Sequence, residues 1–137
     1  MLNRDYFLRY VEEFSKAIAH LAGLREQGKH KEGLEYLEQQ WTSYNGLTPE
    51  AVDGIDAEDL ISQLVDVLKQ EDPQIECLGL LLHESSECLQ ALDDQTLAKA
   101  RALKALTIFQ YLHEKPGADY SFERLSRISA LQRYLQA

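Results

Sequence analysis

The chain has little of what would mark it as stapled, fibrous or membrane-spanning. Its 137 residues hold two cysteines, three prolines and seven glycines. None of these cluster, which leaves no linker or low-complexity segment. No uninterrupted apolar run approaches the ~20 residues that a bilayer span needs. The opening residues, MLNRDYFLRY, lack a basic segment followed by a small-residue cleavage site. The expectation is a cytoplasmic chain with no membrane partner. Basic side chains are also short: 14 against 23 acids, a net charge of −9. That balance argues against a nucleic-acid partner, whose phosphates select basic surfaces. Alternating runs of β-branched residues are missing, so strands are not expected.

The two cysteines, Cys77 and Cys88, are eleven residues apart. On one helix, at ~1.5 Å of rise per residue, their backbones would lie about 16 Å apart, beyond disulfide reach. They read as small buried residues of a protein in a reducing compartment. The chemistry-bearing motifs are thin as well. Neither GxSxG nor a glycine-rich phosphate loop occurs. Residues 83–87, HESSE, begin like a zinc-protease helix, but the position of the second histidine is Glu87. Glu-x-x-His pairs of the di-iron kind fail too, because Ala17, Gln27, Leu80 and Gln110 stand three residues before the four histidines. Cys88 lies five residues after His83, on a different helix face. The reading is no catalytic residues, no metal, no cofactor, and a polar helix face at His83 and Glu87.

What is present is amphipathic helix. A content of 45 % apolar and 27 % charged residues is ordinary for a globular protein, and 137 residues fit one domain, 1–137. The most apolar stretch is 75–92, where Ile75, Leu78, Leu82, Ser85, Leu89 and Leu92 form one stripe and Leu80 and Leu81 widen it. This should be the core helix, touching partners on more than one side.

Before it, a helix over about 3–27 carries Phe7, Tyr10, Phe14, Ala17, Leu21 and Leu24 as its seam, flanked by Val11 and Ile18. Its other face holds the acid-before-base pairs Asp5–Arg9 and Glu12–Lys16. Gly28 suits the left-handed residue that closes it. A second helix, about 30–44, turns in Leu34, Leu37, Trp41 and Tyr44. Thr48-Pro49-Glu50 starts a single turn. A third helix, about 57–70 with Asp56 as cap, should bury Leu60, Ile61, Leu64, Val65 and Leu68.

Asp72-Pro73 opens the core helix. Asp93 is expected to cap the helix that follows, about 94–113, with Leu92 stapled to Leu97. That fifth helix is apolar nearly all round, Leu103 included. Pro116-Gly117 stops it. Ser121 caps the last helix, with Tyr120 stapled to Leu125. There Phe122, Leu125, Ile128, Leu131 and Leu135 should face inward, and Arg124, Arg127 and Arg133 outward. The fold class is all-α: about six helices in three antiparallel hairpins.

Charge is spread unevenly along the chain. Residues 47–94 hold thirteen acids and one base, Lys69, whereas residues 95–137 hold seven bases and three acids. The asymmetry would suit intramolecular or head-to-tail packing, but a solvated acidic surface is the preferred reading.

Three hairpins of ~35–45 residues suggest a repeat architecture. Residues 17–44 resemble a tetratricopeptide unit: Gly28 stands at the inter-helix turn, Gly33 at the small position of close helix approach, and Leu37 at the larger apolar position after it. Leu24 takes the aromatic position of the first helix. Ala17 stands where that family has tryptophan, Leu21 where it has glycine, and Gln40 where it has alanine. The chain thus looks like a divergent tetratricopeptide-like (TPR-like) protein. The resemblance implies a right-handed helical array or bundle, peptide or partner-protein binding on a concave face, and no catalytic residues to carry over.

The aromatic side chains fit that expectation. Tyr6, Tyr10, Tyr36, Trp41, Tyr44, Tyr111, Tyr120 and Tyr134 are many amphipathic rings for a small domain. Most should be core with the polar end wet. Tyr6, Tyr36, Trp41 and Tyr44 are the candidates for gripping a protein or peptide partner, or a second copy of the chain. The function expected is a non-enzymatic interaction module. The alternatives are a small-ligand binder or enzyme with a pocket between hairpins, and a structural homodimer.

Overall fold

A computed structural model describes the backbone of residues 4–117 and 121–137; side chains of residues 4–8, 10 and 11 are not described. The expected roles of Asp5, Tyr6, Phe7, Tyr10, Val11 and Tyr120 lie outside the described residues. The described residues form helices α1 (Arg4–Glu26), α2 (His30–Asn45), α3 (Pro49–Asp53), α4 (Ala57–Ser62), α5 (Asp72–Ala91), α6 (Gln95–Glu114) and α7 (Phe122–Gln136). A π-helical turn, Gln63–Val67, continues α4. The fold is all-α, with no strand among the described residues.

Local sequence sets the helix ends. Gly28, with φ at 75°, closes α1: its N–H donates to Arg25 O, and Lys29 N–H reaches back to Leu24 O. These two bonds satisfy carbonyls that the helix leaves open. Thr48 Oγ1 accepts from Ala51 N at 3.1 Å and starts α3 ahead of Pro49. Ser121 Oγ accepts from Arg124 N at 3.1 Å and starts α7. The cap of α6 is Asp94, which accepts from Leu97 N, and not Asp93. Asp93 is spent closing α5, with φ at 63° and a bond from its N–H to Gln90 O. Leu92 is consequently exposed rather than stapled.

Helix α5 is the centre of the fold. It packs against α1, α2 and α6, and Ile75, Leu78, Leu81 and Leu82 are fully buried. Each such side chain contributes about 1.5–3 kcal/mol by leaving water. Small residues let its neighbours come close. A β-carbon at Gly33 would sit 3.0 Å from Leu21 Cδ1, and one at Gly79 would sit 2.9 Å from Phe109 Cε1.

The hairpins pair differently from the sequence expectation. Helix α5 pairs with α6, and α6 also packs on α7, but α4 packs on α6 and forms no principal pair with α5. Helix α4 has six residues before its π-turn begins. Its π-turn explains a second correction. Leu68 N–H bonds to Gln63 O, five residues back, at 2.9 Å. The extra residue rotates the helix face, so Leu60 and Leu64 are buried while Val67 is 61 % and Leu68 is 43 % exposed. On α6, Leu103 is exposed, and the positions turned inward include Arg101 and Lys104. On α7, Phe122 is 77 % exposed, while Arg124 and Arg127 turn inward to α5.

Candidate binding groove

Helices α1 and α7 stand on either side of α5, and a groove runs between them. Phe14, Ser15 and Ile18 form the α1 wall. The floor comes from Cys77 and Leu80 of α5, with Phe109 of α6 beneath, and Ser121, Glu123, Arg124 and Arg127 form the α7 wall. The periodicity of α5 accounts for the floor. Leu78 and Leu82 face its helical neighbours and are fully buried, which leaves Leu80 half-buried on the open side.

Charged side chains hold the α7 wall in place. Arg124 Nη2 donates to Glu76 Oε1 at 3.1 Å. The Arg124 side chain is only 12 % exposed, yet its Nε has no acceptor among the described residues. Buried polar groups without a partner are uncommon in folded chains.

One turn further along, Arg127 Nη1 donates to Glu84 Oε1 and to His83 Nδ1, each at 3.0 Å, and Arg127 Nη2 reaches Glu123 at 3.3 Å. Arg25 of α1 completes the cluster, bonding Glu84 Oε2 at 2.6 Å and pairing with Glu87. His83 Nε2 lies 3.2 Å from Glu87 Oε1.

This cluster corrects two expectations. Of the polar face expected at His83 and Glu87, His83 is buried at 6 % exposure and Glu87 is only partly exposed, and the two are paired. The uneven charge is used within the chain, since bases of residues 95–137 meet acids of residues 47–94 at Arg101–Asp53, Lys115–Asp72, Arg124–Glu76 and Arg127–Glu84. Buried charges need partners of this kind.

The electrostatics follow from the geometry. The hydrogen bond from His83 and the nearby Arg25 hold the Glu87 carboxyl down at about 2, against the opposing pull of burial. Burial alone would depress the Arg25 guanidinium, but Glu87 and Glu84 outweigh it and raise it. Burial pushes the Cys88 thiol up to about 11, so it stays neutral and weakly nucleophilic. Among the described residues no three or more His, Cys, Asp or Glu side chains are grouped to hold a metal ion.

The aromatic candidates lie apart from this groove or behind it. Trp41 is fully buried and offers no surface to a partner, because α2 turns it into the core under Arg101. Tyr44, half-buried, meets Phe14 edge-on at 4.8 Å and so supports the α1 wall from behind. Tyr36 is half-buried against His20, with ring centroids 4.6 Å apart. Tyr6 is outside the described side chains. The groove residues Leu80, Arg124 and Arg127 were not singled out from the sequence. No local spacing pointed to them, since the acids that hold the two arginines lie more than forty residues away.

No family model, curated protein or solved structure matches this chain. The described helices include none long and apolar enough to cross a membrane.

Proposed function

We propose that the chain is a non-enzymatic interaction module that seats a segment of a partner protein between α1 and α7. The carrying observation is the pairing of an apolar floor with a buried donor, Arg124 Nε, that has no acceptor among the described residues. Phe14, Ile18 and Leu80 would receive one apolar or aromatic anchor side chain, and a main-chain carbonyl beside it would accept from Arg124. Anchors of this kind dominate peptide recognition, since a side chain entering a dry pocket gains more than contacts at the rim. The rim charges Glu76, Glu123, Arg124 and Arg127 already compensate one another, so shape and one hydrogen bond would select the partner rather than net charge.

A display selection of random peptides tests this reading, with a Leu80→Glu variant as the counter-selection. The expected outcome is a set of peptides sharing an apolar anchor that bind the unaltered chain and lose binding to Leu80→Glu. Peptides that bind both forms equally would place the interaction elsewhere and remove the groove from the argument.

A further inference from the structure

Glu84 hydrogen-bonds to both walls of the groove. Its Oε2 accepts from Arg25 Nη1 of α1 at 2.6 Å, and its Oε1 accepts from Arg127 Nη1 of α7 at 3.0 Å. The carboxylate belongs to α5, between the two walls, and its side chain is only 11 % exposed. Water competes little for it there, and bonds between charged groups are strong in such surroundings.

The neighbouring acids each hold one wall. Glu76 meets Arg124 of α7, and Glu87 meets Arg25 of α1. A longer route between the walls runs Arg25–Glu87–His83–Arg127, but it takes two side chains of α5 and passes through the 3.2 Å contact between them.

We infer that Glu84 is the positioning residue of the groove, tying α1 and α7 to the floor with one carboxylate and closing the groove at that end. Helix α7 depends on the tie because its principal helix contacts are with α6 rather than α5. Its arginines reach α5 through the ion pairs Arg124–Glu76 and Arg127–Glu84.

The closed end follows from the order of residues along the three helices. Phe14 and Ile18 precede Arg25, Pro73 and Leu80 precede Glu84, and Ser121 precedes Arg127, so α1, α5 and α7 run the same way along the groove. Four residues past Leu80, on the same face of α5, Glu84 is held by both guanidinium groups. The floor from Pro73 to Leu80 is then about 10 Å long at ~1.5 Å per residue. An extended segment crosses that distance in about three residues. This consequence rests on the function proposed above: the partner reaches the floor with a short protruding segment carrying one anchor, not with a long helix or strand laid through the groove.

The first experiment uses the full chain without any ligand. Spin labels on ketone side chains at the exposed positions Ala22 of α1 and Ser126 of α7 leave Cys77 and Cys88 untouched, and pulsed dipolar spectroscopy reads the separation of the walls. In Glu84→Gln the amide oxygen accepts from one arginine while the NH2 group faces the other, so the distance distribution should broaden and shift outward. Glu87→Gln removes a carboxylate of the same cluster without touching the tie to α7, and should leave the distribution as it is. Arg127→Gln should reproduce the shift, and it decides alone if Glu84→Gln does not fold. An unchanged distribution in Glu84→Gln or Arg127→Gln, even with a lowered melting temperature, overturns the positioning role, and so does an equal shift in Glu87→Gln. With peptides from the selection, trimming to about three residues around the anchor should weaken binding by less than about tenfold, because the anchor carries most of the energy. A larger loss overturns the closed end. Failure of the selection itself would remove the partner reading and leave the wall distances to decide the role of Glu84.

Discussion

The Arg101 guanidinium lies 5.1 Å from the centre of the Trp41 ring and grips both oxygens of Asp53, at 3.1 and 2.9 Å. A third bond runs to Glu38 at 3.1 Å. One side chain of α6 thereby fixes α2 through Trp41 and Glu38 and α3 through Asp53. Beside it, Lys104 Nζ donates to Val52 O at 3.0 Å and Asp53 O at 3.1 Å, carbonyls at the end of α3. A cation at that end of a helix is favoured by the exposed C=O groups. Burial, the leading influence on Lys104, depresses its ammonium, so this position is held at some electrostatic cost.

Replacing Arg101 with alanine should destabilise the fold by about 2–4 kcal/mol, because Asp53 and Glu38 lose their partner and Trp41 loses its cover. Lysine at this position should recover less than half of the loss, since it cannot bond both oxygens of Asp53 in one plane. Denaturation midpoints followed by the fluorescence of Trp41, the single tryptophan, measure both. Wild-type stability in Arg101→Ala would show that the cluster contributes nothing net.

Gly79→Ala should also destabilise, although alanine is the better helix former. The gain in propensity is about 1 kcal/mol, whereas forcing a methyl group into a packed core costs about 1–3 kcal/mol. The new carbon would lie 2.9 Å from Phe109 Cε1 and 3.0 Å from Ile108 Cγ2. Adding Phe109→Leu should make Gly79→Ala less costly than it is alone. Calorimetry on the four chains gives the coupling directly.

Acid should weaken the fold through Glu87. Its carboxyl is held at about 2 against an ordinary 4.5, so the stability it supplies is complete above the ordinary value and is lost as pH falls from there toward 2. Urea midpoints taken across that window should drop less steeply in Glu87→Gln than in the unaltered chain. Parallel profiles would mean that the pairing with His83 and Arg25 does not favour the ionised form.

Cys88 should resist alkylation at mildly alkaline pH, since it is fully buried and its thiol is pushed up to about 11. Its labelling rate, read by mass spectrometry of the peptide, should accelerate sharply at the unfolding midpoint. Fast labelling under native conditions would mean that the α2–α5 contact opens without global unfolding.

The features legible from sequence are the ones set within a few residues. Gly28 closing α1, Thr48 and Ser121 as caps, and the apolar stripe of α5 depend on neighbours three or four positions away. Arg124 and Arg127 were placed outside because an arginine on an amphipathic helix is solvated by default. Their partners Glu76 and Glu84 are more than forty residues away, and no local pattern joins them. The groove escaped for the same reason: its α1 wall lies far in sequence from the floor on α5 and the wall on α7. Leu68 was assigned to the core by unbroken α-helical spacing, which the π-turn interrupts.

That turn leaves a mark on what the chain can tolerate. Between Ser62 and Leu68 the backbone holds one residue more than the α-spiral requires, so shortening the segment by one would be absorbed by rewinding, with Leu68 swung underneath. Lengthening it has no such outlet: the wider loop of bonds is already in use, and Lys69, with φ at 54°, already bends in the left-handed sense. Deletions here should be survivable where insertions are not.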